Sequence, residues 1–119
     1  MSPLIATLAL PVLIHLAPLS GVLGAARLEK LYGAKIKDPN VLLAMRHRAV
    51  IFGILGLGLI AAMIWPSVAL PVIVGTILSD AAFLVLALMT PERSPQMNKV
   101  LAADVLSLIC LGPALVLTL

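Results

Sequence analysis

Four long apolar stretches, separated by short polar ones, organise this chain. Hydropathy places them at Pro3 to Ala26, Ala49 to Trp65, about Ser67 to Met89, and Val100 to Leu119. A helix needs about 20 apolar residues to cross the hydrocarbon layer of a bilayer, within a range near 17–25. The second stretch is the shortest, but Asp38-Pro39 predicts a much earlier helix start. Aspartate can cap the free N–H groups there, and proline fits the first turn. The second helix is therefore expected over Pro39 to Trp65, with its first turns at or below the lipid headgroups. Ser94-Pro95 predicts the start of the fourth helix in the same way. Trp65-Pro66-Ser67 reads as a tight turn at one membrane interface, and Tyr32-Gly33 belongs to the other. The expected fold is all-α: an integral membrane four-helix bundle in a single domain.

Composition supports a lipid solvent. The 119 residues are 62% hydrophobic and 11% charged, against about 45–50% and about 25% in soluble domains. No basic residue precedes the first apolar stretch, so it reads as a retained helix and not as a cleaved signal. The single cysteine, Cys110, excludes an internal disulfide and a multi-cysteine metal site.

Charge sets an orientation. The net charge is +3, but its distribution points to membrane topology and not to nucleic acid. Arg27, Lys30, Lys35, Lys37, Arg46 and Arg48 lie between the first two helices or at the foot of the second. Arg93 and Lys99 lie between the third and fourth. The positive-inside bias then makes both long loops cytoplasmic and both termini external, as an even number of spans allows. A multi-pass protein of the cell inner membrane is expected, with membrane lipids around it.

The helix faces carry the next information. Pro3, Pro11 and Pro18 interrupt the first helix, leaving the carbonyls of Thr7 and Ile14 without their usual partners. Such groups need a protein partner or a wet cavity. Thr7, Pro11, His15 and Pro18 share one face, so a kinked first helix should turn that face inward. Small residues offer close approach at Ala17, Gly21 and Gly24, at Ala49, Gly53 and Gly56, at Gly75, Ser79 and Ala82, and at Ala103, Ser107 and Cys110. These faces would also admit a second copy of the chain. Gly53 to Gly58 is no phosphate loop, because it lies inside a span without the strand such a loop requires.

Three ionisable residues lie within the spans: His15, Asp80 and Asp104. A central aspartate costs about 2.5–3.5 kcal/mol to insert, so each should face the bundle interior and have a partner. At about 1.5 Å per residue, His15 and Asp80 lie roughly 14–17 Å from the cytoplasmic edge and Asp104 about 6 Å. Arg46, His47 and Arg48 stand at that edge. Together they form a polar ladder through the cytoplasmic half, while the outer half holds almost nothing ionisable. This predicts a pocket open to the cytoplasmic side and not a pore. Arg46 and Arg48 are about 200° apart around a helix. One is expected to reach Asp104 and the other to reach headgroup phosphates. Asp80 has only His15 at its depth and is a candidate proton donor or base. Beside it, His15 could be oriented as an acid/base group.

The runs Pro18-Leu19-Ser20-Gly21-Val22-Leu23-Gly24, Leu31-Tyr32-Gly33 and Arg46-His47-Arg48-Ala49-Val50-Ile51-Phe52-Gly53 resemble a family of small four-helix bacterial inner-membrane proteins of the DoxX-like group. The likeness covers most of the chain and implies a four-helix membrane bundle; it carries no catalytic residues across. Chains of this kind are often labelled phosphopantetheine adenylyltransferase. That soluble α/β enzyme carries a Gly-His-x-x-His type motif, and neither His15 nor His47 stands in one.

Two function classes follow. The first is a membrane-embedded enzyme or binding protein for a lipophilic small molecule. His15, Asp80 and Asp104 would be its catalytic groups, while Arg46, His47 and Arg48 would hold a polar head. Proton-transfer chemistry of the isomerase, cyclase or hydrolase type would suit it. The second is a structural or assembly subunit whose polar ladder is buried ion pairing. A proton or ion conductor is a weaker third. Two histidines and one cysteine make a poor set for haem or copper, so neither a metal nor a cofactor is expected.

Overall fold

The computed structural model describes residues 2–119. Five α-helices form in chain order: α1 (Pro3–Leu16), α2 (Ala25–Tyr32), α3 (Pro39–Ile64), α4 (Ala69–Leu88) and α5 (Pro95–Thr118). Starts are set by local chemistry. Ser2 Oγ accepts from the Ile5 N–H at 3.2 Å, Asp38 Oδ1 from Asn40 at 2.8 Å and Ser94 Oγ from Met97 at 3.0 Å. A proline follows each of these caps, where a missing N–H costs nothing. Both interhelical starts read from the sequence, Asp38-Pro39 and Ser94-Pro95, are thus the observed ones. The turn after Trp65 is a short 3-10 segment, Pro66–Val68.

The first span departs from expectation. It is not one kinked helix to Ala26. The α-helix stops at Leu16, and the chain tightens into a 3-10 segment over Ala17–Leu23. Gly24 then adopts φ 139°, a conformation that side chains disfavour, and the separate helix α2 begins. The physical cause is Pro18, which removes a helical donor just where the α-pattern fails. Helix α2 ends at Gly33, which has φ 68° and donates its N–H to Glu29 O.

Four segments are long and apolar enough to cross a membrane: Pro3–Leu23, Pro39–Ile64, Pro66–Leu88 and Pro95–Thr118. Only 22–28% of each apolar window is buried within the protein. Side chains such as Leu13, Ile54, Leu78 and Ile109 therefore point outward, each more than half exposed. This surface requires lipid, and the chain is a multi-pass membrane protein. Its longest dimension is 44 Å, close to the full bilayer thickness of about 40–45 Å.

Helices α1, α3, α4 and α5 form a closed ring in which chain neighbours touch and α5 returns to α1. Helices α1 and α4 thus face each other across the centre. Both basic loops lie at one end, where Ser94 Oγ donates to Tyr32 O. The opposite end is solid. Leu8, Val12, Leu59, Ile73 and Leu111 form its core with Ala62, Ala69 and Ala114. The ionisable groups within the spans thus lie apart from this apolar core.

Small residues set the spacing of one helix pair. Ala49, Gly53 and Gly56 of α3 lie against the first span, where Leu19 covers Gly53 and Leu16 covers Gly56. A Cβ at Gly56 would stand 2.5 Å from Leu16 Cδ2 and 2.8 Å from its Cγ. Gly75 of α4 has no neighbour within 4 Å of such an atom. Gly56→Ala should therefore destabilise the bundle by about 1–3 kcal/mol. Gly75→Ala should leave stability unchanged or raise it by about 0.5–1 kcal/mol, through helix propensity alone. Denaturant unfolding in detergent compares the two.

Candidate functional site

The polar centre joins three helices. His15 is the last inward residue of α1 before the chain tightens, one turn after Pro11 and on the same face. Its Nδ1 lies 2.7 Å from Pro11 O. A carbonyl only accepts, so Nδ1 carries a hydrogen. Its Nε2 lies 2.8 Å from Asp80 Oδ1 on the diagonally opposite helix α4. The other carboxyl oxygen, Oδ2, accepts from Ser107 Oγ of α5 at 2.7 Å. His15 and Asp80 are each 1% exposed and Ser107 is fully buried. With Nδ1 already protonated, the Nε2–Oδ1 contact holds one further proton, either on the ring or on the carboxyl. The pair therefore shares one proton across the Nε2–Oδ1 contact, and Ser107 meets the second carboxyl oxygen.

Asp104 is different. It lies on α5 three residues before Ser107, is 7% exposed, and its Oδ2 has no hydrogen-bond partner among the described residues. The expected ion pair with Arg46 or Arg48 does not form. His15–Asp80, an ion pair when the ring holds the proton, is the one such contact within 4.0 Å among the described residues.

The reason is where the arginines go. Arg46 is exposed, and its Nε donates to Val22 O at 2.9 Å, capping the 3-10 segment. His47 is exposed on the same outer surface. Arg48 turns inward, but to aromatic rings. Its guanidinium carbon lies 5.3 Å from the ring centre of Tyr32, 5.1 Å from that of Phe52 and 5.1 Å from that of Phe83. Three of the chain's four aromatic residues thus surround one cation, an arrangement that offsets its desolvation through the ring quadrupoles. Neither Arg46 nor His47 lines a cavity at the polar centre, and Arg48 serves a different recess.

A cavity of about 690 Å³ opens beside the polar centre. Its floor includes His15, Asp80 and Asp104, and its walls are apolar residues such as Leu13, Ile14, Leu31 and Val100. Arg27, Lys30 and Lys99 line it toward the basic end. These three cations read in the sequence as topology markers, because hydropathy does not show which loop residues fold back over an opening. A groove of about 490 Å³ lies across the Phe52 and Phe83 rings, which line both spaces, and it holds Arg48, Ser79, Thr90 and Arg93. No three His, Cys, Asp or Glu side chains converge in metal-ligating geometry among the described residues.

The buried pair should be costly to break and cheap to mimic. Asp80→Ala strands His15 Nε2 and the Ser107 hydroxyl, at about 3–5 kcal/mol. Asp80→Asn can donate to Nε2 and accept from Ser107, so most of that loss should be absent in the same unfolding assay.

Tyr32, the single tyrosine, reports on the aromatic cage from outside the spans. Burial pushes its phenol up from the ordinary 10.0, and the Arg48 charge pulls it part of the way back. A raised folded value means that its contribution to stability is complete below the unfolded value and lost as pH rises through the folded one. An ultraviolet titration should show phenolate forming above the free-tyrosine midpoint, and Arg48→Ala should move it higher still.

Compared with protein-family models, with curated proteins and with solved structures, the chain finds no match.

Proposed function

We propose that this protein is a membrane-embedded binding protein or enzyme for a lipophilic small molecule, with proton transfer as its chemistry. The observation that carries the reading is the coincidence of three features in one place. A cavity of ligand size reaches the centre of the bundle, a one-proton pair stands at its floor, and a carboxyl lining it has a buried oxygen without a hydrogen-bond partner among the described residues. A bundle that needed polar groups only to fix helix register would bring its helices together around them. Here the end away from the basic loops is closely packed and the polar end is hollow.

The roles divide by hydrogen-bond valence. His15 and the two Asp80 oxygens already have partners, so they hold and return a proton. Asp104 has the free oxygen and is the group placed to touch the bound molecule. An isomerase, cyclase or hydrolase reaction needs a base and an acid within reach of one substrate, and Asp104 beside the His15–Asp80 pair supplies both. The clustering of basic residues at the open end supports a cytoplasmic opening in an inner membrane, with both termini external. The resemblance to small DoxX-like membrane proteins fits that location.

A second reading has one observation behind it. The α4 face at Gly75 is open, as an assembly subunit would require for a partner helix.

Native mass spectrometry of the detergent-purified protein separates the two. The wild-type protein should carry a co-purifying lipophile and Asp104→Ala should lose it, while Asp80→Asn should retain it but no longer convert it. A wild-type protein that carries no small molecule, and binds none from a panel of quinones, terpenoids and fatty acids, would sink the ligand reading. Oligomers lost on Gly75→Leu would then establish the assembly role.

A further inference from the structure

The cavity has two chemically distinct ends, and together they specify a class of ligand. At the basic end stand Arg27, Lys30 and Lys99, from α2 and α5. None has a carboxylate within 4.0 Å among the described residues. At the deep end stands Asp104, 93% buried (7% exposed), whose Oδ2 has no hydrogen-bond partner among the described residues. Lys99, Val100, Ala103 and Asp104 line the cavity on one helix. Along that helix the cation and the open carboxyl are separated by roughly 8 Å, and the lysine side chain can extend this outward. The wall between them is hydrocarbon.

We propose that the ligand is an anionic lipophile carrying its own hydrogen-bond donor: a carboxylate or phosphate at one end, an apolar body, and a hydroxyl or amine at the other. Its anion meets the Arg27, Lys30 and Lys99 cluster, and its donor meets Asp104. The inference rests on the ligand-binding reading above and narrows it. A bilayer phospholipid satisfies only half of the site, because its acyl chains carry no donor to place at Asp104. An uncharged lipophile such as a terpenoid alcohol satisfies only the other half.

Three probes of matched length test this on the full chain in phosphatidylcholine nanodiscs: 10-hydroxydecanoate, decanoate and 1,10-decanediol. Binding is read by calorimetry. The hydroxy acid should bind roughly tenfold more tightly than either of the others, since decanoate lacks the hydroxyl for Asp104 and the diol lacks the anion for the basic cluster. Lys99→Ala, at an exposed position, should shrink the advantage over the diol and leave the advantage over decanoate. Asp104→Ala should do the reverse. Asp104→Leu, with a side chain better suited to an apolar site, repeats that test if the alanine variant does not fold. Equal binding of all three probes would overturn the two-ended site while leaving a general lipophile pocket intact. Binding of none would remove both. Equal binding of the hydroxy acid and the diol would also overturn it, and would assign the basic rim to bilayer headgroups.

Discussion

Asp80 is the group on which the rest of this bundle depends. It is a carboxyl in the middle of a structure whose exterior is hydrocarbon, and every neighbouring feature supplies something it needs. His15 crosses the diagonal of the ring to meet one oxygen, and Ser107 meets the other. Those two bonds tie α4 to α1 and to α5. An unsatisfied carboxyl at that depth would cost several kcal/mol, so the three helices are held in one register around it. The Pro11 carbonyl then fixes the far side of the imidazole, and the orientation of the His15–Asp80 pair no longer depends on loops.

Around that centre, the protein divides into a packed half and a hollow half. At one end alanine and branched side chains close the interior. At the other, the early end of α1 lets the chain narrow into a 3-10 segment and swing away through Gly24 into α2. Helix α2 then forms a wall instead of continuing the bundle, and the cavity lies behind it. Pro18 and Gly24 thus shape the cavity wall.

Arg48 shows how an arginine can enter such a bundle without a carboxylate. A guanidinium is weakly hydrated and planar, so three aromatic faces can substitute for an ion-pair partner. That choice has two consequences. Asp104 keeps a free oxygen that an ion pair would have consumed. The Phe52 and Phe83 rings also become the partition between the central cavity and the lateral groove.

Much was legible in the sequence, because the bilayer imposes one-dimensional rules. Span lengths, the caps at Asp38 and Ser94 and the clustering of basic residues in two loops all follow from local chemistry and hydropathy. So does the depth match between His15 and Asp80, since rise per residue turns sequence position into height. What sequence position does not encode is the angle of each helix about its neighbours and the path of the chain between spans. Only the tertiary structure decided that Arg48 turns to rings and not to Asp104, and that Arg46 and His47 lie outside. Only it showed that Arg27, Lys30 and Lys99 border a cavity. Height above the membrane edge is additive along a helix and can be counted. Partner choice depends on where several helices converge, and that is a property of the packed bundle alone.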